Sequence, residues 1–215
     1  HDEPINTLVS VPLDGDHRQQ ILTKGYDFYA SPRVSPDGRQ LAWLSWNHPN
    51  MPWNGTELWI AKIAMDGTLQ EPQQVAGGEN ESIFQPAWSP DGVLTFISDR
   101  SGWWNLYRWT GAEIVCLHEM DAEFGKPQWI FDLATYAYRT PNEIVCTYSQ
   151  EGLDHLARLN VTTGELQPIL TPYTHLGNVS VDGNWVLFRG GAPTRPGALI
   201  RLDLTTGGHE VLKRS

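Results

Sequence analysis

The feature that most constrains this chain is a hairpin signal that recurs every 41 to 54 residues. Ser35-Pro36-Asp37-Gly38 and Ser89-Pro90-Asp91-Gly92 are nearly identical, while Trp129-Ile130-Phe131-Asp132 and Val179-Ser180-Val181-Asp182-Gly183 hold the same place in weaker form. Aligned on Asp37, Asp91, Asp132 and Asp182, the copies lie 54, 41 and 50 residues apart, and the residue three before each is apolar: Val34, Trp88, Trp129 and Val179. Such periods belong to propeller blades and solenoid arrays. The chemistry is that of a tight turn, in which Pro presets φ, Asp bonds nearby backbone donors and Gly takes the left-handed position that closes a bulged hairpin.

Short segments rich in β-branched and aromatic residues flank each copy: Leu41–Ser45, Leu94–Ser98, Ile144–Tyr148 and Trp185–Phe188. A second repeat interleaves with the first. Strand, glycine turn and strand recur over Leu8–Leu22, Leu58–Val75, Leu106–Leu117, Leu156–Leu170 and Leu199–Leu212, with turns at Gly15, Gly67, Gly111, Gly164 and Gly207. A four-stranded blade follows, with an A–B hairpin on the Asp signal and a C–D hairpin on the Gly signal.

Five C–D hairpins against four A–B hairpins mean that the sequence opens in the middle of a blade. The expectation is an all-β fold: a β-propeller fragment of four complete four-stranded blades plus an N-terminal half-blade. The half-blade spans 5–24 and the blades span about 28–77, 83–119, 125–171 and 175–213 of a single partial propeller, 1–215. An open arc exposes sheet faces that a closed ring buries, so self-association of the arc is also expected.

Composition agrees with that body. Forty per cent apolar residues over 215 positions can bury a sizeable core. Ten Trp and seven Tyr suit the wide spaces between twisted sheets. A net charge of -10 argues against a nucleic-acid partner, which needs clustered Lys and Arg. No apolar run approaches the roughly 18 residues that suggest a membrane helix. Asp2 and Glu3 stand where a signal peptide would carry basic residues. Cys116 and Cys146 fall in strands of different blades and read as free thiols of a reducing compartment, so a cytoplasmic location is expected. The sequons at Asn54, Asn80, Asn160 and Asn178 read as chance matches, since Asn178 belongs to an innermost strand.

No catalytic residues emerge. The chain has no Gly-x-Ser-x-Gly elbow, its seven His are scattered without metal-ligand spacing, and Asp14-Gly15-Asp16 is better explained as a C–D turn than as the start of a calcium loop. No metal or cofactor is therefore expected. Two B–C loops are the candidate sites. Trp46–Gly55 is long, aromatic and stiffened by prolines; it reads either as a rigid platform for a ligand or partner domain, built on Asn47, His48, Asn50, Met51 and Trp53, or as a packed cover over a blade edge. In the next blade Asp99, Arg100, Trp103 and Trp104 read either as a polar and aromatic wall or as a structural turn whose Asp caps backbone amides.

At these loops the sequence resembles a known family. Ser31–Trp43, the loop His48-Pro49-Asn50-Met51-Pro52-Trp53-Asn54-Gly55 that leads into Thr56-Glu57-Leu58-Trp59, Ile83–Gly92, Ser98–Tyr107 and Ala122–Trp129 look like the propeller of bacterial serine peptidases of the prolyl oligopeptidase family, in its dipeptidyl aminopeptidase and acylaminoacyl peptidase subgroup. The resemblance implies an N-terminal propeller, usually of seven blades, that caps a C-terminal α/β-hydrolase domain and restricts access to short peptides. Its Ser, Asp and His triad lies in that hydrolase domain, which is absent here, so none of it is carried onto this sequence. The competing expectation is a propeller of the translocation-protein type that serves as a protein-interaction module.

Overall fold

The structure, a computed structural model, describes residues 4–15 and 17–215. Asp2, Glu3 and Asp16, the last member of Asp14-Gly15-Asp16, lie outside them. Among the described residues there is no helix, and so none long and apolar enough to cross a membrane. The strands form a two-stranded sheet, β1 (Thr7–Ser10) with β2 (Gln20–Lys24), and four four-stranded antiparallel sheets. These are β3 (Phe28–Val34), β4 (Gln40–Trp46), β5 (Glu57–Ile63) and β6 (Leu69–Gly77); β7 (Ile83–Trp88), β8 (Leu94–Ser98), β9 (Asn105–Trp109) and β10 (Ile114–Cys116); β11 (Tyr136–Thr140), β12 (Glu143–Gln150), β13 (Leu153–Asn160) and β14 (Leu166–Ile169); and β15 (His175–Asp182), β16 (Trp185–Ala192), β17 (Arg195–Asp203) and β18 (His209–Arg214). This is the expected open propeller arc of four blades and a half-blade.

The turn chemistry accounts for the hairpins. At the first A–B turn Ser35 Oγ donates to Asp37 Oδ1 at 2.6 Å and accepts from Gln40 N, while Gly38 N donates to Ser35 O with Gly38 at φ 73°. Ser89, Asp91 and Gly92 repeat the arrangement at the second. The C–D glycines Gly15, Gly67, Gly111, Gly164 and Gly207 all have φ between 72° and 94°, a region that costs other residues more.

The third A–B turn is a correction. β11 begins at Tyr136 and reaches β12 through Pro141 and Asn142, so Trp129-Ile130-Phe131-Asp132 lies in the connection before the blade. Asp132 takes φ 60°, and Trp129, Ile130 and Phe131 are 73%, 63% and 69% exposed, which sets them outside the strand core. Tyr136 is fully buried, and its hydroxyl donates to Gln85 O or Thr95 O, both at 2.9 Å. That anchor on the second blade fixes where the third starts.

The core sits between sheets. Leu44, Leu58, Leu94 and Phe96 fill the space between the first and second blades; Ile97, Leu106, Ile144 and Ala157 the next; Val145, Leu176, Val186 and Phe188 the last. Full burial of a side chain such as Leu44 or Phe96 contributes roughly 1.5–3 kcal/mol. The middle strands β4, β8 and β12 are therefore nearly continuous buried runs, whereas the outer β18 is exposed throughout. Three innermost strands carry a bulge at the same place: two residues, Ser31–Pro32, Gln85–Pro86 or Asn178–Val179, oppose a single partner, and the first has φ near 50°. Cys116 lies in β10 and Cys146 in β12, and both are free.

Candidate functional site

Strands that alternate in direction put the A–B and C–D turns at one end of the arc, and the B–C loops and blade-to-blade connections at the other. The second end carries both candidate loops.

The 47–56 loop is locked to the 78–83 connection. Thr56 Oγ1 donates to Ile83 O at 3.1 Å and accepts from Ile83 N at 2.6 Å, Ser82 Oγ donates to Pro52 O at 2.9 Å, and Asn50 Nδ2 donates to Glu79 O at 2.9 Å. Gly55 passes so close to this connection that a Cβ would stand 2.4 Å from Glu79 O. Asn47 Oδ1 accepts from Asp27 N and His48 N donates to Asp27 Oδ2, while the His48 ring packs edge-on against Phe28. Held this way, the loop leaves Met51 exposed and projects Trp53 onto Trp129, with ring centroids 4.2 Å apart.

The 99–104 loop is tied down by its polar residues. Asp99 Oδ1 accepts from Ser82 N at 2.8 Å. Burial and the neighbouring Glu81 charge push the Asp99 carboxyl upward, against that hydrogen bond. Arg100 donates twice to Glu81 Oε1, at 2.9 and 2.7 Å, and lies 5.2 Å over the Tyr107 ring. Trp104 stacks on Phe84 and covers Gly125, where a Cβ would stand 2.4 Å from its ring.

Between these loops and the third blade lies a cavity of ≈ 590 Å³ lined by Trp53, Asp99, Trp104, Glu123, Lys126, Asp154 and His175. Asp154 is only 8% exposed. Its carboxylate accepts from Ser149 Oγ, from Leu176 N at 2.7 Å and from Lys126 Nζ at 2.9 Å, with His175 Nδ1 3.5 Å away. Burial opposes its ionisation, but the Ser149, Leu176 and Lys126 donors outweigh it and hold the carboxyl below the usual range. Aromatic walls beside fixed carboxylates can stack rings and hydrogen-bond an ammonium or amide.

The sequence-predicted residues divide. Trp53, Asp99 and Trp104 share this cavity; Asn47, His48 and Asn50 line a separate one of ≈ 290 Å³; Met51, Arg100 and Trp103 line neither. Sequence reasoning missed Glu123, Lys126, Asp154 and His175. Glu123 and Lys126 lie in the conspicuous Ala122–Trp129 stretch, whereas Asp154 and His175 carry no local signal. Among the described residues no cluster of His, Cys, Asp and Glu could hold a metal ion.

No protein-family model matches the chain, and no curated protein matches it. Solved structures do. A puromycin-hydrolysing peptidase of Mycobacterium tuberculosis superposes with a TM-score of 0.90 at 37% identity over 97% of this chain and 33% of its own. Prolyl oligopeptidase B of Galerina marginata, at 12% identity and a TM-score of 0.71, covers all of this chain with 31% of its own and shares the fold. TolB of Acinetobacter baumannii shares the fold as well, at 16% identity and a TM-score of 0.67 over 97% of this chain and 49% of its own. The chain spans about a third of the length of the puromycin-hydrolysing peptidases that it matches. Its blades match the N-terminal β-propeller of these peptidases, the family resemblance read from the loops.

Proposed function

We propose that this chain, whose blades match the N-terminal propeller of puromycin-hydrolysing and prolyl oligopeptidase peptidases, is the substrate-gating part of a cytoplasmic serine peptidase acting on short peptides. Covalent chemistry belongs to a C-terminal α/β-hydrolase domain, and the propeller excludes folded proteins and orients the peptide. The observation that carries this reading is the cavity at the loop end, whose wall is Trp53 on a loop hydrogen-bonded to the next blade. A rigid wall orients without an ordering cost at the moment of binding. The protein-interaction reading is supported by a 16% identical fold alone.

The test uses the longer peptidase that carries this propeller. Trp53→Ala is expected to leave turnover of a small activated ester within about twofold while changing kcat/KM for peptides at least about tenfold, in a way that depends on peptide length. Equal losses on ester and peptide sink the gating role and make the loop a structural cover. The 215-residue chain by itself is expected to hydrolyse neither substrate.

A further inference from the structure

A second cavity, of ≈ 580 Å³, opens beside the first, between the third and fourth blades, within the roughly 300–1,000 Å³ range of small-ligand sites. Its charged lining is Lys126, Arg189 and Arg195, with His175 the remaining titratable group; no carboxylate lines it, in a chain of net charge -10. The guanidiniums of Arg33, Arg100, Arg139, Arg158 and Arg201 each pair with a carboxylate. Arg189 and Arg195 are exposed, and their guanidiniums have neither ion pair nor hydrogen bond among the described residues.

The backbone explains why Arg189 is uncovered. It stands opposite Gly177 on the innermost strand, and a Cβ at Gly177 would meet nothing within 4 Å, so the strand offers no side chain between Arg189 and the open space. Arg195 enters from the β16–β17 turn opposite Ala192. Asp154, which lines the neighbouring cavity, is already matched by Lys126 at 2.9 Å. Lys126 and His175 line both cavities, so the charge reverses across them, from Asp99, Glu123 and Asp154 on one side to the two free arginines on the other.

We propose that this second cavity is a carboxylate site, in which Arg189 and Arg195 hold the C-terminal carboxylate of a short peptide whose body lies along Leu133 and Leu153. Two planar guanidiniums suit a carboxylate, which accepts paired hydrogen bonds from each. The proposal rests on the short-peptide reading above and adds the end of the peptide that the propeller selects.

The experiment titrates the 215-residue chain with trialanine, with trialanine C-terminal amide and with inorganic phosphate, by calorimetry and by amide chemical shifts. Trialanine is expected to bind about tenfold or more tightly than its amide. Arg189→Gln with Arg195→Gln is expected to abolish that preference and leave the unfolding midpoint unchanged, both side chains being exposed. Equal affinity for acid and amide, a preference that survives in the double variant, no binding of trialanine, or phosphate bound as tightly as trialanine would each overturn the proposal. Each of those results leaves the gating role to stand or fall on the ester and peptide comparison.

Discussion

Lys126 Nζ lies 2.9 Å from Asp154 Oδ2 and 2.6 Å from Leu176 O, so one ammonium in the connection before the third blade is held at once by that blade's β13 and the next blade's β15. Asp154 completes the joint from the other side by accepting from Leu176 N. The wall common to both cavities is therefore the seam of two blades.

Asp154→Ala should destabilise the chain by about 3 kcal/mol, because it leaves the Lys126 ammonium without its counter-charge and the buried Leu176 N–H without an acceptor. The folded carboxyl titrates below its unfolded value of about 4, so its contribution is present above that pH and disappears as pH falls through the lowered folded value. Chemical denaturation across the acid range checks this. The wild-type chain should lose stability below about pH 4 more steeply than Asp154→Asn.

Thr56→Val keeps the shape of a side chain that is 1% exposed but removes both bonds to Ile83. A buried N–H and C=O are then left unpaired. A loss of about 2 kcal/mol in urea denaturation is expected, with an unchanged slope.

Trp53 and Trp129 meet at 4.2 Å although they come from the first blade and from the connection before the third. A double-mutant cycle with Trp53→Ala and Trp129→Ala should give a coupling of about 0.5–1.5 kcal/mol in denaturation. Strict additivity would mean that the two rings do not hold each other in solution.

The turns were readable because their information is local. Ser35, Asp37 and Gly38 bond within one another's reach, and the five C–D glycines need left-handed φ wherever the blade sits. Trp129-Ile130-Phe131-Asp132 misled for the complementary reason. It imitates the apolar residue and aspartate of the signal, but the register of the third blade is set at a distance, by Tyr136 bonding Gln85 and Thr95 of the second. The real turn, Thr140-Pro141-Asn142-Glu143, has no glycine. At the site, the aromatic loop stood out because Pro and Trp crowd into ten residues. Asp154 and His175 are ordinary strand residues until blade stacking brings them to Lys126.

The bulges at Ser31, Gln85 and Asn178 make each of these innermost strands two short strands in series, out of phase by one residue. Alternation of inward and outward side chains restarts at the bulge, so the half that ends at the aspartate turns and the half that borders the cavities keep separate parity. Deleting Gln85 would flip Ile83 from the core between the first and second blades, and Phe84 from the core between the second and third, each to the opposite face of the sheet, without disturbing Ser89-Pro90-Asp91-Gly92. The extra residue acts as a phase joint: the cavity-facing end of a blade can be re-cut in sequence while the turn end, which holds the hairpin, stays as it is.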